Sequence, residues 1–247
     1  MIRAVTPEDL WALERVGQPE PLPDGSAAVT PVTTFDEEHP AGRTRLWLFA
    51  GDGARLPLTR SDRSASGPAV SPDGRRLAFL AKAAGGEEPA QVQVMPLTGG
   101  EAEQVAILPL GARAVRWLPD GRGLVVSAPL YRDHPTVDGS AEERERRRDG
   151  KPQPVVTEDR VYRYWKRWLA GDTVDHLFRI DLEGGDPVHL TPWLDRMTAL
   201  EGWDRTFDVS PDGTTLAMVI DVSDPAWDRP LFAVHTVSTE GGAARRI

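Results

Sequence analysis

The sequence predicts an all-β fold, an incomplete β-propeller of about four blades, each a four-stranded antiparallel sheet. A short N-terminal helix and a partly helical insertion in the third blade complete this prediction. Its first basis is a tripeptide that recurs at intervals of 49, 47 and 92 residues, the last about twice the others. The copies are Pro23-Asp24-Gly25, Pro72-Asp73-Gly74, Pro119-Asp120-Gly121 and Pro211-Asp212-Gly213. A chain with such a period is built from a repeat.

Each copy has the residues of a tight turn that leads into a strand. Proline holds φ near the value that the second position of a turn needs, aspartate caps the turn, and glycine takes the left-handed conformation. Short apolar runs follow three of the turns, at residues 75–81, 122–127 and 214–220. Such turn-bounded runs are typical of strands buried between stacked sheets.

A second signal lies downstream of each turn, where an apolar strand runs into a glycine-containing turn and a further short strand. It occurs at residues 92–101, 177–186 and 232–242, and the first repeat varies it at residues 46–53. Each repeat therefore holds two hairpins, and a period of roughly 40 to 50 residues with about four strands is typical of a propeller blade. The alternative is four unrelated turns, and the joint recurrence of both signals favours the repeat.

The two signals also set the expected boundaries. Residues 1–21 are predicted as an N-terminal helical segment and residues 22–247 as the partial propeller. The four blades are expected at about residues 22–59, 69–105, 115–191 and 207–247, the third with an insertion at residues 131–175. The repeat favours modest cores between blades over one large globular core.

The N-terminal helix is predicted from its start signals. Thr6 can cap the helix, Pro7 suits the first helical position, and Asp9 lies where a capping-box acid would. Three residues then provide an apolar side, expected to pack on the outside or one end of the first blade: Leu10, Trp11 and Leu13.

The insertion makes the third blade longer than its neighbours by roughly 45 residues. Within it, Ser140 and Glu143 have capping-box spacing, which predicts a helix that ends near residue 150. Two acid-before-base pairs at helical separation support a solvated helix: Glu142 with Arg146, and Glu143 with Arg147.

The next part of the insertion, residues 161–168 (VYRYWKRW), puts four aromatic rings beside three basic side chains in a chain that is 7% aromatic. Its alternation predicts an extended segment. In one interpretation the aromatic face packs on the blade while the cationic face meets solvent or carboxylates. In the other, the segment lines a ligand or partner surface, with Arg163 and Trp165 as candidate substrate-binding residues.

Composition excludes several classes of function. A net charge of -9 disfavours binding to nucleic acid, because a phosphate backbone is held by a basic surface. The chain has no cysteine, so it has no disulfide, thiolate metal site or cysteine nucleophile. Residues 1–10 lack the apolar core of a secretory signal, and no stretch approaches the roughly 18 apolar residues of a membrane span. A soluble, cytoplasmic protein without a membrane partner is expected.

Familiar catalytic patterns are missing from the sequence. The Gly-x-Ser-x-Gly motif, which presents the nucleophile of an α/β-hydrolase, does not occur. The five histidines have no metal-ligand spacing and are expected as surface or strand residues. Residues 51–53 (GDG) lack the third glycine and the helix of a dinucleotide site. No catalytic residue, metal or cofactor is therefore predicted.

Acidic pairs offer a different chemistry, since two carboxylates that converge on one cation can bind a peptide α-ammonium group. The pairs at residues 37–38 and 87–88 fall in expected blade loops and are interpreted as solvated. Glu142 and Glu143 lie in the insertion and are the candidate substrate-binding pair, although both have arginines at helical spacing.

Two parts of the sequence have the pattern of a known family: residues 6–17 (TPEDLWALERVG) followed by residues 22–25 (LPDG), and residues 162–168 (YRYWKRW) with residues 176–178 (HLF). In these parts the chain resembles the propeller of the prolyl oligopeptidase family of serine peptidases, especially its acylaminoacyl-peptidase and dipeptidyl-peptidase-like branches. The blade repeat SPDG at residues 71–74 and 210–213 also matches, although other propellers share it.

The resemblance implies a seven- or eight-bladed propeller followed by a C-terminal α/β-hydrolase domain that carries the catalytic Ser, Asp and His. This chain reaches only a fourth blade, so it is expected to be a truncated fragment, inactive alone, with its own hydrolase domain as a partner. In the complete enzyme the resemblance implies that the propeller caps the active site, restricts entry to short or N-acylated peptides and helps to hold their amino ends.

Two other classes of function stay open at the level of sequence. One is a TolB-like propeller that acts as a protein-binding adaptor without catalysis. The other is a freestanding four-bladed repeat protein with a structural role, which would need its first and last strands to pair. The sequence leaves the oligomeric state open, a homo-oligomer included.

Overall fold

The structure is a computed structural model of the 247-residue chain. It describes residues 3–60, 62–83, 87–150, 158, 160–165, 167–168, 172–200, 206–226 and 228–247. The chain forms two compact units, Met1–Gln104 and Val105–Ile247. Each unit holds two antiparallel sheets of the size expected for a propeller blade.

The first sheet follows a short helix, α1 (Pro7–Ala12). Its strands are β1 (Arg15–Val16), β2 (Glu20–Pro21), β3 (Ala27–Thr34), β4 (Arg43–Ala50) and β5 (Arg55–Pro57). β3 pairs with β4 over its whole length, β4 pairs with β5, and both β1 and β2 pair with β3. The sheet starts before the predicted boundary at residue 22, because the first Pro-Asp-Gly turn is the hairpin that joins β2 to β3.

The second sheet is a meander in chain order. Its strands are β6 (Arg63–Val70), β7 (Arg76–Ala83), β8 (Gln91–Pro96) and β9 (Glu103–Gln104). β6 starts earlier than the predicted blade boundary at residue 69. The pairing of β6 with β7 shifts register between Ser66 and Ala69, and Gly67 has a φ of 58° there. This bulge interrupts the apolar alternation that would have identified the strand from sequence.

The third sheet contains the insertion. In chain order the elements are β10 (Ala114–Trp117), β11 (Gly123–Tyr131), the helix α2 (Val137–Asp149), β12 (Arg163–Tyr164), β13 (Arg167–Trp168), β14 (Thr173–Asp181) and β15 (Val188–His189). The sheet order is β10-β11-β14-β15, while β12 and β13 form a separate hairpin. The fourth sheet is again a meander, with strands β16 (Phe207–Val209), β17 (Thr215–Asp221), β18 (Phe232–Ser238) and β19 (Arg245–Arg246).

The four Pro-Asp-Gly turns share one geometry. Each glycine has a φ between 70° and 73°, and its N–H donates to the carbonyl three residues earlier at 2.8 to 2.9 Å. Each aspartate Oδ1 accepts from the N–H two residues later at 2.9 to 3.1 Å. The roles predicted for glycine and aspartate are therefore confirmed. The second signal also forms the expected hairpins, β4–β5, β8–β9, β14–β15 and β18–β19.

The apolar cores lie between neighbouring sheets within each unit, as the repeat predicts. In the first unit, Val29 and Leu46 of the first sheet meet Leu77, Phe79 and Met95 of the second. In the second unit, side chains of the third and fourth sheets form one cluster that includes Val125, Leu177, Phe207, Leu216 and Met218. Full burial of such a side chain stabilises the fold by about 1.5–3 kcal/mol.

The N-terminal helix is confirmed, but its apolar side is not buried. Asp9 Oδ2 accepts a hydrogen bond from the Thr6 N–H at 2.8 Å, as the capping box predicts. Leu10, Trp11 and Leu13 are each more than half exposed. The helix touches the end of the first sheet through an edge-to-face contact between Trp11 and Phe35, with ring centroids 6.2 Å apart. No helix in the described part of the chain is long and apolar enough to span a membrane.

Candidate functional site

The insertion leaves the third sheet between two fully paired strands. β11 and β14 stay in register from Gly123 opposite Asp181 to Tyr131 opposite Thr173. The intervening residues 132–172 therefore start and end side by side at one edge of the blade. A long segment can be carried there without disturbing the sheet, which makes it the natural place to look for function.

The helix of the insertion begins four residues before the predicted cap. Thr136 is the N-cap, and its Oγ1 accepts from the Gly139 N–H at 3.1 Å. The prediction that Ser140 is the N-cap is wrong, because this serine lies within the helix and is buried. Its Oγ donates to the His134 carbonyl at 2.7 Å and accepts from the Tyr131 N–H at 2.9 Å. Ser140 thus joins the helix to the end of β11, and the predicted helix end near residue 150 is confirmed by the C-cap Gly150.

The two candidate glutamates of α2 have different surroundings. The Glu143 side chain is only 4% exposed and accepts from Arg146 Nε and Nη2 at 2.6 Å and from Arg147 Nε at 2.5 Å. These hydrogen bonds, first those of Arg146 and then that of Arg147, lower the pKa of Glu143 to about 2. Glu142 is exposed and has no ion pair within the described part of the chain.

The neighbouring carboxylates therefore do not converge on one point in this conformation. Residues i and i+1 lie about 100° apart around a helix, so one carboxylate faces its arginines while the other faces solvent. Of the predicted pairs, Glu143 with Arg147 is formed, and Arg146 pairs with Glu143 instead of Glu142. A role of Glu142 and Glu143 in binding a peptide ammonium group stays a prediction.

Arginines fasten the helix to both ends of the insertion. Arg147 forms an ion pair with Asp172, the residue before β14, and its guanidinium lies 4.1 Å from the centre of the Tyr131 ring. Arg147 thus holds the helix against the blade by cation–π and ionic contacts in place of an apolar face. Arg132, directly after β11, pairs with Asp195 through a 3.0 Å contact from Nε to Oδ1, which joins the start of the insertion to the segment after β15.

The aromatic segment forms a hairpin instead of one extended strand. Arg163 pairs with Trp168 and Tyr164 with Arg167, so the chain reverses between them. Trp165 lies in this turn with a φ of 51° and is 82% exposed. The predicted continuous alternation is therefore wrong beyond Tyr164. Lys166, which the alternation places in the same segment, lies outside the described residues, as do the side chains of Arg167 and Trp168.

The start of this hairpin is anchored while its turn faces solvent. Val161 packs against the apolar cluster of the second unit, and Arg160 Nη1 lies 3.3 Å from Asp228 Oδ1 in the loop between β17 and β18. Arg163 is exposed, and its Nε donates to the Trp165 carbonyl at 2.6 Å, across the turn. The packing interpretation does not account for the exposed Trp165 ring. The roles of Arg163 and Trp165 in substrate binding stay predictions.

Two histidines are in contact in the third sheet, although their spacing in the sequence does not predict it. His176 of β14 and His189 of β15 make an edge-to-face contact at 4.7 Å, and His189 also stacks on Phe178 at 4.7 Å. The buried His176 Nδ1 donates to the Thr191 carbonyl at 2.9 Å. Burial lowers the pKa of His176 and, with the neighbouring His176, lowers the pKa of His189 to about 4.

Both imidazoles are therefore neutral at pH 7 and serve packing. Among the residues that the structure describes, no group of three or more His, Asp or Glu side chains is placed to hold a metal ion.

Two sheets have a threonine at equivalent positions, and the sequence analysis above did not predict its role as a hydrogen-bond acceptor. Thr191 Oγ1 accepts from the buried Leu177 N–H at 2.9 Å, and in the first unit Thr59 Oγ1 accepts from the Leu46 N–H at 3.0 Å. The Leu-Thr dipeptides at residues 58–59 and 190–191 are the signal that could have found it. These hydrogen bonds stabilise the pairing of the outer strands of the two blades.

No protein-family model matches this chain, but two curated proteins do. The uncharacterized peptidase YuxL of Bacillus subtilis is 27% identical over 192 residues, which cover 77% of this chain and 28% of that protein. Dipeptidyl-peptidase 5 of Porphyromonas endodontalis is 29% identical over 175 residues, which cover 70% of this chain and 24% of that protein. The chain thus spans about a quarter of the length of these curated relatives.

Solved structures with the same fold include propellers of peptidases and of TolB. Pyrococcus horikoshii acylaminoacyl peptidase has a TM-score of 0.61 and 16% identity, over 96% of this chain and 32% of its own. The propeller domain of the Trilobed protease from Pyrococcus furiosus has a TM-score of 0.53 and 12% identity, over 95% and 57%. A putative TolB from Agrobacterium tumefaciens has a TM-score of 0.55 and 14% identity, over 92% and 62%.

At these identities the solved structures establish the fold alone, an incomplete β-propeller, while the sequence relatives are both named peptidases. Together they confirm that the chain resembles the propeller portion of peptidases of the prolyl oligopeptidase family.

Proposed function

We propose that this chain is the propeller part of a cytoplasmic serine peptidase of the prolyl oligopeptidase family, where it caps the active site and admits short or N-acylated peptides. The observation that carries the proposal is the match of two peptidases to 77% and 70% of the chain. The proposal is further supported by blade-type sheets across both units, since a rigid scaffold of this kind can carry selective loops at its ends.

The insertion of the third blade is the part of the chain best suited to contact peptides. Its helix is fastened to the blade by Arg147, and its hairpin turn places Trp165 and Arg163 in solvent. An exposed indole offers apolar contact area, and an exposed guanidinium donates charge-assisted hydrogen bonds to carboxylates and carbonyls. In this proposal these two side chains contact peptides, and Glu142 contributes a carboxylate toward amino ends.

The chemistry would belong to a hydrolase domain elsewhere in the complete protein. A serine activated by a histidine would form an acyl-enzyme, with a backbone oxyanion hole stabilising the tetrahedral intermediates. This chain would contribute selection and exclusion of large substrates, and alone it would not hydrolyse peptides.

The first experiment is to read the genomic DNA downstream of codon 247. We expect a Gly-x-Ser-x-Gly motif roughly 250 to 350 codons further on, after three or four more blades and the front of a hydrolase domain. The protein expressed from the whole reading frame should cleave acyl-amino-acid or dipeptidyl chromogenic substrates and lose this activity to a serine-directed inhibitor. A frame without the motif, or a product without inhibitor-sensitive hydrolysis, would refute the proposal.

A TolB-like adaptor is the second candidate, because TolB propellers share the fold at a TM-score of 0.55. This candidate predicts that the downstream sequence has no nucleophile motif. It also predicts that a protein partner co-purifies with the intact protein. The peptidase names of the two sequence relatives favour the first candidate.

A further inference from the structure

The helix α2 has few apolar side chains with which to pack on its blade. Of its 13 residues, only Val137 and Ala141 have apolar side chains, and neither is fully buried. Its two buried residues are Ser140 and Glu143, both polar. A helix that is polar on all sides depends on side-chain pairs, and a free helix of this length is marginal in water. Contacts with the blade therefore decide whether α2 stays folded.

The two halves of α2 are attached to the blade by different means. The first half is held by the Ser140 hydroxyl, which accepts from the Tyr131 N–H at 2.9 Å and donates to the His134 carbonyl at 2.7 Å. Ser140 is completely buried, so its hydroxyl is shielded from water. The second half is held through Arg147, whose side chain is 41% exposed. The attachment of the second half is therefore open to solvent and ions, while that of the first half is not.

Arg147 joins three groups that belong to different parts of the chain. Its guanidinium pairs with Asp172, just before β14, and with Glu143, one turn earlier in the helix. It also lies 4.1 Å from the centre of the Tyr131 ring at the end of β11. Arg147 thus ties the helix to both strands between which the insertion starts and ends, by a charge-assisted pair and a cation–π contact.

We propose that the second half of α2, residues 144–149, is a releasable strap whose latch is the contact of Arg147 with Asp172 and Tyr131. With the latch closed, the strap is helical on the blade. When ions screen or displace the pair, the strap detaches, and it unfolds because it is too short and too polar to stay helical alone. The inference rests on the proposed function only for its use: a released strap leaves more room for a peptide at this edge of the blade.

The test measures amide hydrogen exchange in the full 247-residue chain by mass spectrometry, and it needs no hydrolysis. Arg147→Gln removes the charge that forms the latch, and Arg148→Gln is the matched control. Arg148 is the next residue, and it pairs with Glu145 and Asp149 of the same helix. We expect the amides of residues 144–149 to exchange about fivefold faster in Arg147→Gln than in the wild type, and within about twofold of the wild type in Arg148→Gln.

Two further measurements separate the latch from an effect within the helix. Asp172→Asn leaves every residue of α2 unchanged, yet it removes the carboxylate to which the strap is tied, so the same amides should exchange about threefold faster. Asp186→Asn, at an exposed aspartate in the connection between β14 and β15, is its control and should have no effect. Raising the salt concentration from about 50 to about 500 mM should speed this exchange in the wild type more than in Arg147→Gln.

Exchange at the wild-type rate in both Arg147→Gln and Asp172→Asn would overturn the inference. A wild-type strap that exchanges as fast as an unfolded peptide would also overturn it, because the strap would then be released with the latch intact. Faster exchange throughout β11 and β14 in both variants would do the same, since the whole blade and not the strap would have opened. Failure of the proposed function is read separately, from inhibitor-sensitive hydrolysis by the product of the whole reading frame.

Discussion

At the scale of single residues, buried ionisable groups make the stability of the second unit depend on pH. His176 and His189 have folded pKa values below the value of 6.5 that they take in the unfolded chain. Below pH 6.5 the unfolded chain therefore binds protons that the folded chain does not, and stability falls as pH is lowered toward the folded pKa of His189, about 4.

The prediction is a lower free energy of unfolding at pH 5 than at pH 7.5, measured by urea titration followed by tryptophan fluorescence. Between pH 5 and 6.5 the histidines dominate, because Glu143 titrates near a pKa of about 2 when folded and near 4.5 when unfolded. His189→Leu should flatten the dependence in this window. An equal slope in the variant and the wild type would show that His189 is not the responsible group.

Trp165 provides a second residue-scale prediction, about the backbone of the hairpin turn. Because its φ is 51°, a β-branched side chain should be strained there while glycine is relaxed. We expect Trp165→Val to lower the free energy of unfolding by about 1–2 kcal/mol more than Trp165→Gly does. Urea titrations of both variants provide the measurement, and equal stability would mean that the turn adopts another conformation.

At the scale of elements, the repeated turns make a prediction that sequence and structure share. Gly74 has a φ of 70°, and a Cβ there would also lie 3.5 Å from Pro23 of the preceding turn. Gly74→Ala should therefore cost about 1–2 kcal/mol of unfolding free energy. Gly51→Ala in the same unit is the control, since its backbone is not left-handed and its nearest neighbour would lie 3.6 Å away. Equal effects of the two changes would contradict the turn geometry.

The threonines that close the outer strands make a further prediction. Thr191→Val leaves the buried Leu177 N–H without its acceptor, which should cost about 1–3 kcal/mol. Thr236→Val, in the neighbouring sheet, removes only a weak hydrogen bond of 3.4 Å to the Arg245 carbonyl and should be nearly neutral. Thermal unfolding monitored by circular dichroism compares the two. A larger effect at Thr236 would mean that the capping role of Thr191 is misassigned.

At the scale of the whole molecule, charge decides solution behaviour. The net charge of -9 at pH 7 keeps molecules apart, and this repulsion vanishes near the isoelectric point of about 5.1. We expect the lowest solubility near pH 5.1, measured by the protein that remains in solution after centrifugation across a pH series. A minimum at another pH would show that the distribution of charge over the surface outweighs the net charge.

The elements that repeat local chemistry could be predicted from the sequence. Proline, aspartate and glycine at fixed positions act through backbone torsions and through hydrogen bonds over two or three residues, so the turns, hairpins and blade number follow without tertiary contacts. The same holds for the cap of the first helix by Thr6 and Asp9. Features for which residues distant in sequence compete for the same hydrogen-bonding groups could not be predicted. Ser140 has capping-box spacing, yet its hydroxyl is taken by Tyr131 and His134.

The candidate site shows the same division. Its composition, basic and aromatic, is a property of the sequence, and so is the place of the insertion within the third blade. Whether a carboxylate is free or saturated, and whether a ring is buried or exposed, depends on which neighbours fill the space around it. Glu143 forms ion pairs with two arginines, while Glu142 is exposed to solvent. Trp165 lies in a reverse turn, although the alternation of residue types by itself predicts a strand there. The sequence thus determined the repeat, and tertiary packing alone decided which side chains it presents, because burial and hydrogen bonding are settled by non-local contacts.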